Sequence, residues 1–258
     1  MSKNRFLLLT ASFIGFSMTL ASCATPQEQA ASAPTQVSAA DLCRPPTGDN
    51  KRFLNEKLDA LSLEELTALA QDGNADAIVL LGLRYTSAPS ANELEKAVSL
   101  SKAVALFRAA ADKGQSHGEF LLGVAYMNGM GVSKDEAEAA TWFTRSARRG
   151  NPAAQFWIGE MTAKGRGGIT ADWKVALPYF KDAAVGGTAD AFLELGFMYA
   201  KGLGDLPQDY EKAATCYRQS VRMGSQIAQY NLRVLIADGH IARQDGDPVI
   251  KPGAGPGD

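Results

Sequence analysis

An internal period constrains this chain more than any other feature of its sequence. Glycines recur in two interleaved series, a leading one at Gly82, Gly123, Gly159 and Gly196 and a closing one at Gly73, Gly114, Gly150, Gly187 and Gly224. Successive leading glycines lie 41, 36 and 37 residues apart, and nine residues separate each closing glycine from the next leading one. A unit of that length is one supersecondary element. It cannot bury its own apolar face, so copies must stack and share a continuous core.

Each copy holds two amphipathic stretches. The first sets small, apolar and aromatic residues at helical spacing, as in Gly118, Leu122, Gly123 and Tyr126. A Gly-x-Gly turn follows at Gly129 and Gly131, Gly165 and Gly167, Gly202 and Gly204. In the second stretch Ala103, Ala139, Ala176 and Ala213 precede Phe107, Phe143, Phe180 and Tyr217 by four residues, so alanine and aromatic share a face. The closing glycine then supplies a left-handed helix end. A glycine inside a helix costs about 1 kcal/mol relative to alanine. The leading glycines therefore predict close approach of a neighbouring helix. At 46% hydrophobic and 21% charged residues, the chain can pack such a core.

The ordered positions LGxxY, GxG, K-A, aromatic and A-A-x-x-G resemble the Sel1-like repeat family, relatives of tetratricopeptide repeats, over about Gly73 to Leu232. The resemblance implies an all-α solenoid, a right-handed superhelix of antiparallel helix pairs. Four repeats would occupy residues 75–225, between an N-terminal capping helix at 51–74 and a C-terminal capping helix at 226–243 that opens on a partial fifth copy, Ala228 to Leu232. Three departures stand out. Repeat one carries TSAPSANELEKA in place of the glycine turn, Thr162 stands where the tyrosine belongs, and Pro178 falls inside a second helix, where it is expected to kink the helix or delay its start.

The N-terminus reads as an address. Lys3 and Arg5 precede fifteen uncharged residues, and the run ends Leu20-Ala21-Ser22-Cys23. That ending resembles the bacterial lipobox, which implies a signal peptide at 1–22 and a diacylglycerol-modified Cys23. Ala24 after the cysteine resembles the sorting pattern of outer-membrane lipoproteins that face the periplasm. Residues 23–50, rich in Ala, Ser, Gln, Thr and Pro, are expected to form a flexible tether, and 244–258 a disordered tail. Whether Cys43 and Cys216 pair stays open.

Little in the sequence carries catalytic chemistry. Acidic and basic residues are interspersed and the formal charge is -2, so no nucleic-acid face is expected. His117 and His240 lie in no cluster with ligand spacing, and neither a metal nor a cofactor is expected. Ser99-Leu100-Ser101-Lys102 matches Ser-x-x-Lys, but no Ser-Asp-Asn or Lys-Thr-Gly accompanies it. A cell-wall or β-lactam-related hydrolase or binding protein is thus the second reading, behind a non-enzymatic, envelope-anchored scaffold or regulator that binds a protein partner on its concave face. At about 100° per residue, the first-helix face turned away from each leading glycine carries Leu121 and Val124, Trp157 and Met161, Phe197 and Met198. Charged Glu160, Lys164, Glu194 and Lys201 border them, which is the anatomy of a docking surface.

Overall fold

The computed structural model describes Cys43, Leu58 and residues 60–248, all within one compact unit. The signal segment, Cys23, the rest of the tether and the last ten residues lie outside the described residues. Ten α-helices and no strand are found among those described: α1 (Leu63–Gln71), α2 (Ala75–Thr86), α3 (Glu93–Asp112), α4 (Ser116–Asn128), α5 (Glu136–Arg148), α6 (Pro152–Lys164), α7 (Trp173–Val185), α8 (Ala189–Lys201), α9 (Tyr210–Arg222) and α10 (Gln226–Ala237). None of them is long and apolar enough to cross a membrane.

Helix starts are written into the sequence. Nine of the ten are capped by a side chain that accepts from the first turn's amides, and only Thr188 makes no such bond. Ser62 and Glu65 close a reciprocal capping box on α1. Asp135, Asp172 and Asp209 start the second helices of the later repeats, after each glycine turn.

Substantial packing runs between consecutive helices, so the pairs α2/α3, α4/α5, α6/α7 and α8/α9 stack as repeats. The leading glycines explain the pairing. A Cβ added at Gly82, Gly123, Gly159 or Gly196 would come within 2.5, 2.7, 3.0 and 2.5 Å of the rings of Phe107, Phe143, Phe180 and Tyr217. The aromatic of each second helix thus lies in the notch left by its partner's glycine. The second glycine of each turn meets the preceding repeat instead. A Cβ at Gly131, Gly167 or Gly204 would stand 2.5 to 2.7 Å from the carbonyl oxygens of Leu100, Glu136 and Trp173.

Ion pairs reinforce the same junctions. Arg166, in the turn of repeat three, pairs with Glu136 at the start of α5 at 2.7 Å, and Lys174 at the start of α7 pairs with Asp205 at 2.6 Å. Within repeat two, the fully buried Glu119 forms ion pairs with Arg145 and Arg149 at 3.1 and 3.2 Å.

Four expectations change. Pro178 does not delay the start of its helix, because α7 begins at Trp173 and continues to Val185 around it. Residues 244–248, expected to begin the disordered tail, are held against α9, since Arg218 donates to both carboxylate oxygens of Asp247 at 2.8 Å. The C-terminal helix ends at Ala237, short of residue 243, and the described part of the N-terminal cap is α1 with Leu58. Cys43, expected in the flexible tether, is buried and joined to Cys216 by a disulfide, with Cα atoms 4.8 Å apart. Trp142 and Tyr179 fill the corresponding slot in repeats two and three; in repeat four the slot holds the smaller Cys216, with Cys43 packed into the same core cluster.

Candidate functional site: the first-helix face

Helix spacing turns the repeat into a ladder of side chains on the first helices. Two residues before, one after and five after each leading glycine lie Leu121, Val124 and Asn128 on α4; Trp157, Glu160 and Lys164 on α6; Glu194, Phe197 and Lys201 on α8. The same offsets reach Asn231 and Val234 on α10, which has no glycine at the leading position, and Asp238 at its C-terminal cap.

The structure keeps four of the six expected docking residues on this face and removes two. Leu121, Val124, Trp157 and Phe197 are half-buried. Met161 and Met198 are fully buried, and their methyl ends lie against Gly167 and Gly204. They belong to the core, because two residues past the glycine points under the turn rather than outward. Trp157 stacks on Phe143 with centroids 6.0 Å apart and planes 12° apart, and Phe197 lies 5.8 Å from Trp173.

At the C-terminal end the ladder opens into a cavity of about 220 Å³ between α8 and α10. Phe197, Tyr217, Val234 and Leu235 supply apolar wall; Lys201, Asn231, Asp238 and His240 supply polar edge. His240 stacks on Tyr210 at 4.0 Å. No repeat motif points to His240 at this face, whereas continuing the offsets past the last glycine finds Asn231, Val234 and Asp238.

The electrostatics gather between α6 and α8. Glu160 is buried, with one carboxylate oxygen paired to Lys164 and the other, Oε1, without a hydrogen-bond partner. Burial pushes the neighbouring Glu194 carboxyl up to about 7; the charge of Glu160 adds to the shift, Lys164 opposes it and Asp190 adds slightly. Burial, with the Glu194 charge second, also pushes the Tyr217 hydroxyl well above the usual phenol range.

The remaining chemical candidates are placed elsewhere. Lys102 stands 5.5 Å over the Tyr85 ring, and Ser99 lies on the same helix, α3. His117 is held below the usual imidazole range by burial, against the pull of Asp76. Among the described residues no group of three His, Cys, Asp or Glu side chains could hold a metal ion.

Known proteins share this architecture. The crystal structure of a Sel1 repeat protein from Oxalobacter formigenes superposes with a TM-score of 0.59 at 26% identity, covering 69% of this chain and 70% of that one. DAP3-binding cell death enhancer 1 of Rattus norvegicus is 36% identical over 100 residues, 39% of this chain. The likeness spans only 18% of that relative's length. Residues 75–115, 116–151, 152–184 and 189–225 each match the Sel1 repeat, in register with the helix pairs α2/α3 to α8/α9, and the chain belongs to the Sel1 repeat family.

Proposed function

We propose that this chain is a lipid-anchored protein of a bacterial envelope that holds or regulates a protein partner on its first-helix face. The carrying observation is the ladder itself: half-buried Leu121, Val124, Trp157 and Phe197 follow one another across three repeats and end on the α8/α10 cavity, with charged side chains along the row. An apolar row with a polar rim is what a partner's hot-spot residues require. Sel1 repeats supply interaction surfaces, and a solenoid offers a long face without needing a catalytic centre.

Support for the anchor comes from the lipobox-like Leu20-Ala21-Ser22-Cys23 and the uncharged run before it. The Cys43–Cys216 disulfide fits an oxidising compartment such as the periplasm. The hydrolase reading gains nothing from the placement of Ser99 and Lys102.

In-cell crosslinking of the tagged protein, followed by purification and mass spectrometry, tests the proposal beside a Cys23→Ala control. A reproducible envelope partner is expected in the membrane fraction, and loss of that fractionation in the control. Trp157→Ala with Phe197→Ala should abolish the crosslink. Because Trp157 also stacks on Phe143, Val234→Asp, at an exposed cavity position, serves as a second variant that spares the core. A crosslink that survives both, in proteins of unchanged helicity, places the docking surface elsewhere.

A further inference from the structure

We propose that the first-helix face between α6 and α8 is a receptor for one cationic side chain of the partner, an arginine, seated on Glu160 and Glu194 between Trp157 and Phe197. This rests on the docking reading above and adds the chemistry of the contact.

The first argument is an unmet acceptor. The Glu160 side chain is only 10% exposed, yet Oε1 has no donor while Lys164 occupies Oε2. A carboxylate oxygen buried without a partner forfeits its hydration and gains nothing in return. A donor arriving from outside the chain would complete it by drawing the carboxylate outward past the half-exposed Lys164.

The second argument is charge balance. The charges of Glu160 on α6, Lys164 and Asp190 all act on Glu194 of α8, Tyr217 of α9 adjoins it, and Arg166, which also feels the Glu160 charge, is already held by Glu136 of the preceding repeat. With the Arg166–Glu136 pair neutral by itself, three carboxylates against the Lys164 ammonium leave the site short of positive charge. Two of those carboxylates are already crowded enough for the charge of one to disfavour ionisation of the other.

The third argument is shape. Trp157 lies three residues before Glu160 on α6, and Phe197 three residues after Glu194 on α8, so each ring is one turn from its carboxylate on the same face. Rings beside carboxylates suit a planar guanidinium, which can stack on an aromatic face while its fork donates to separate oxygens. A lysine ammonium, compact and strongly hydrated, uses that arrangement less well.

Selection of a random-peptide phage library on the intact protein tests the inference. Recovered sequences should be enriched in arginine next to a large apolar residue, and synthetic copies should bind roughly tenfold more weakly to the Glu160→Gln, Glu194→Gln double variant. Replacing the peptide arginine by citrulline should have a similar effect, and by lysine a smaller one. Affinity should rise with pH and level off above about 7 as Glu194 ionises, with the Glu194 titration measured by NMR moving down when peptide saturates the site. The amide variants keep side-chain volume, and their melting curves report whether the fold is intact. Peptides lost on Trp157→Ala and Phe197→Ala but carrying no cation, or indifferent to the double variant, overturn the arginine receptor and leave the docking face standing. Peptides indifferent to all four substitutions, or no enrichment at all, overturn both.

Discussion

At the scale of single residues, the same helical position means different things depending on what lies across from it. Met161 and Phe197 both follow a leading glycine, by two residues and by one, and that single step of about 100° separates the buried core from the outer face. Glu160 and Glu194 look like ordinary rim charges in the sequence, whereas in the fold one is buried and burial pushes the carboxyl of the other up to about 7. Glu194 has a consequence for stability that can be signed. Its carboxyl sits at about 7 in the fold against an ordinary value of 4.5, so the folded state holds the proton more tightly than the unfolded chain. The stabilisation is fully present below about pH 4.5 and is lost as pH rises through 7, an effect on the order of 2–3 kcal/mol. Glu194→Gln removes the ionisable group while keeping its shape. Urea melts should therefore show the variant more stable than the parent at pH 8, by an amount that shrinks toward zero near pH 4.5. A difference independent of pH would mean that Glu194 is not the proton-binding group.

At the scale of elements, the glycine turns decide how one repeat is set on the next. Gly131 combines a left-handed backbone, φ 68°, with a Leu100 carbonyl oxygen where its Cβ would be, whereas Gly150 has φ 82° and open space. Alanine at either position strains the backbone by about 1–2 kcal/mol, but only at Gly131 does it also push two repeats apart. Gly131→Ala is thus expected to lose at least 1 kcal/mol more than Gly150→Ala in denaturant unfolding. Equal losses would show that backbone conformation alone fixes these turns. Helix positions and their order were legible in advance, because caps, glycines and apolar spacing are local signals. Pro178 was not, since a proline at the sixth position of α7 leaves free the carbonyl of Lys174, a residue exposed to solvent, and breaks nothing that packing had to repair. Repeat one shows the complementary case: without a glycine turn its loop is shorter than those of the later repeats, and the 20-residue α3 takes up the extra length.

At the scale of the whole molecule, packing between neighbouring helices makes stability nearly a sum over repeats, with the ends most prone to fray. The Cys43–Cys216 disulfide opposes that tendency by closing a sequence separation of 173 residues. A loop that long limits the chain-entropy gain to about 5 kcal/mol. Reduction, or Cys43→Ser, should lower the melting temperature and slow migration on a non-reducing gel relative to the oxidised protein. Unchanged melting after verified reduction would confine the bond to a local role. The sequence by itself determined the repeat, the alternation of helices, the close approach at each leading glycine and the family, because all of these are carried by spacing within some forty residues of chain. Only the tertiary structure decided that Met161 and Met198 lie inward, that Glu160 is buried beside Glu194, that Asp247 is held by Arg218, and that Cys43 meets Cys216. Each of those depends on which atoms a neighbouring element brings up. Periodicity gives a residue its bearing on its own helix, while burial, pairing and protonation belong to the space between helices.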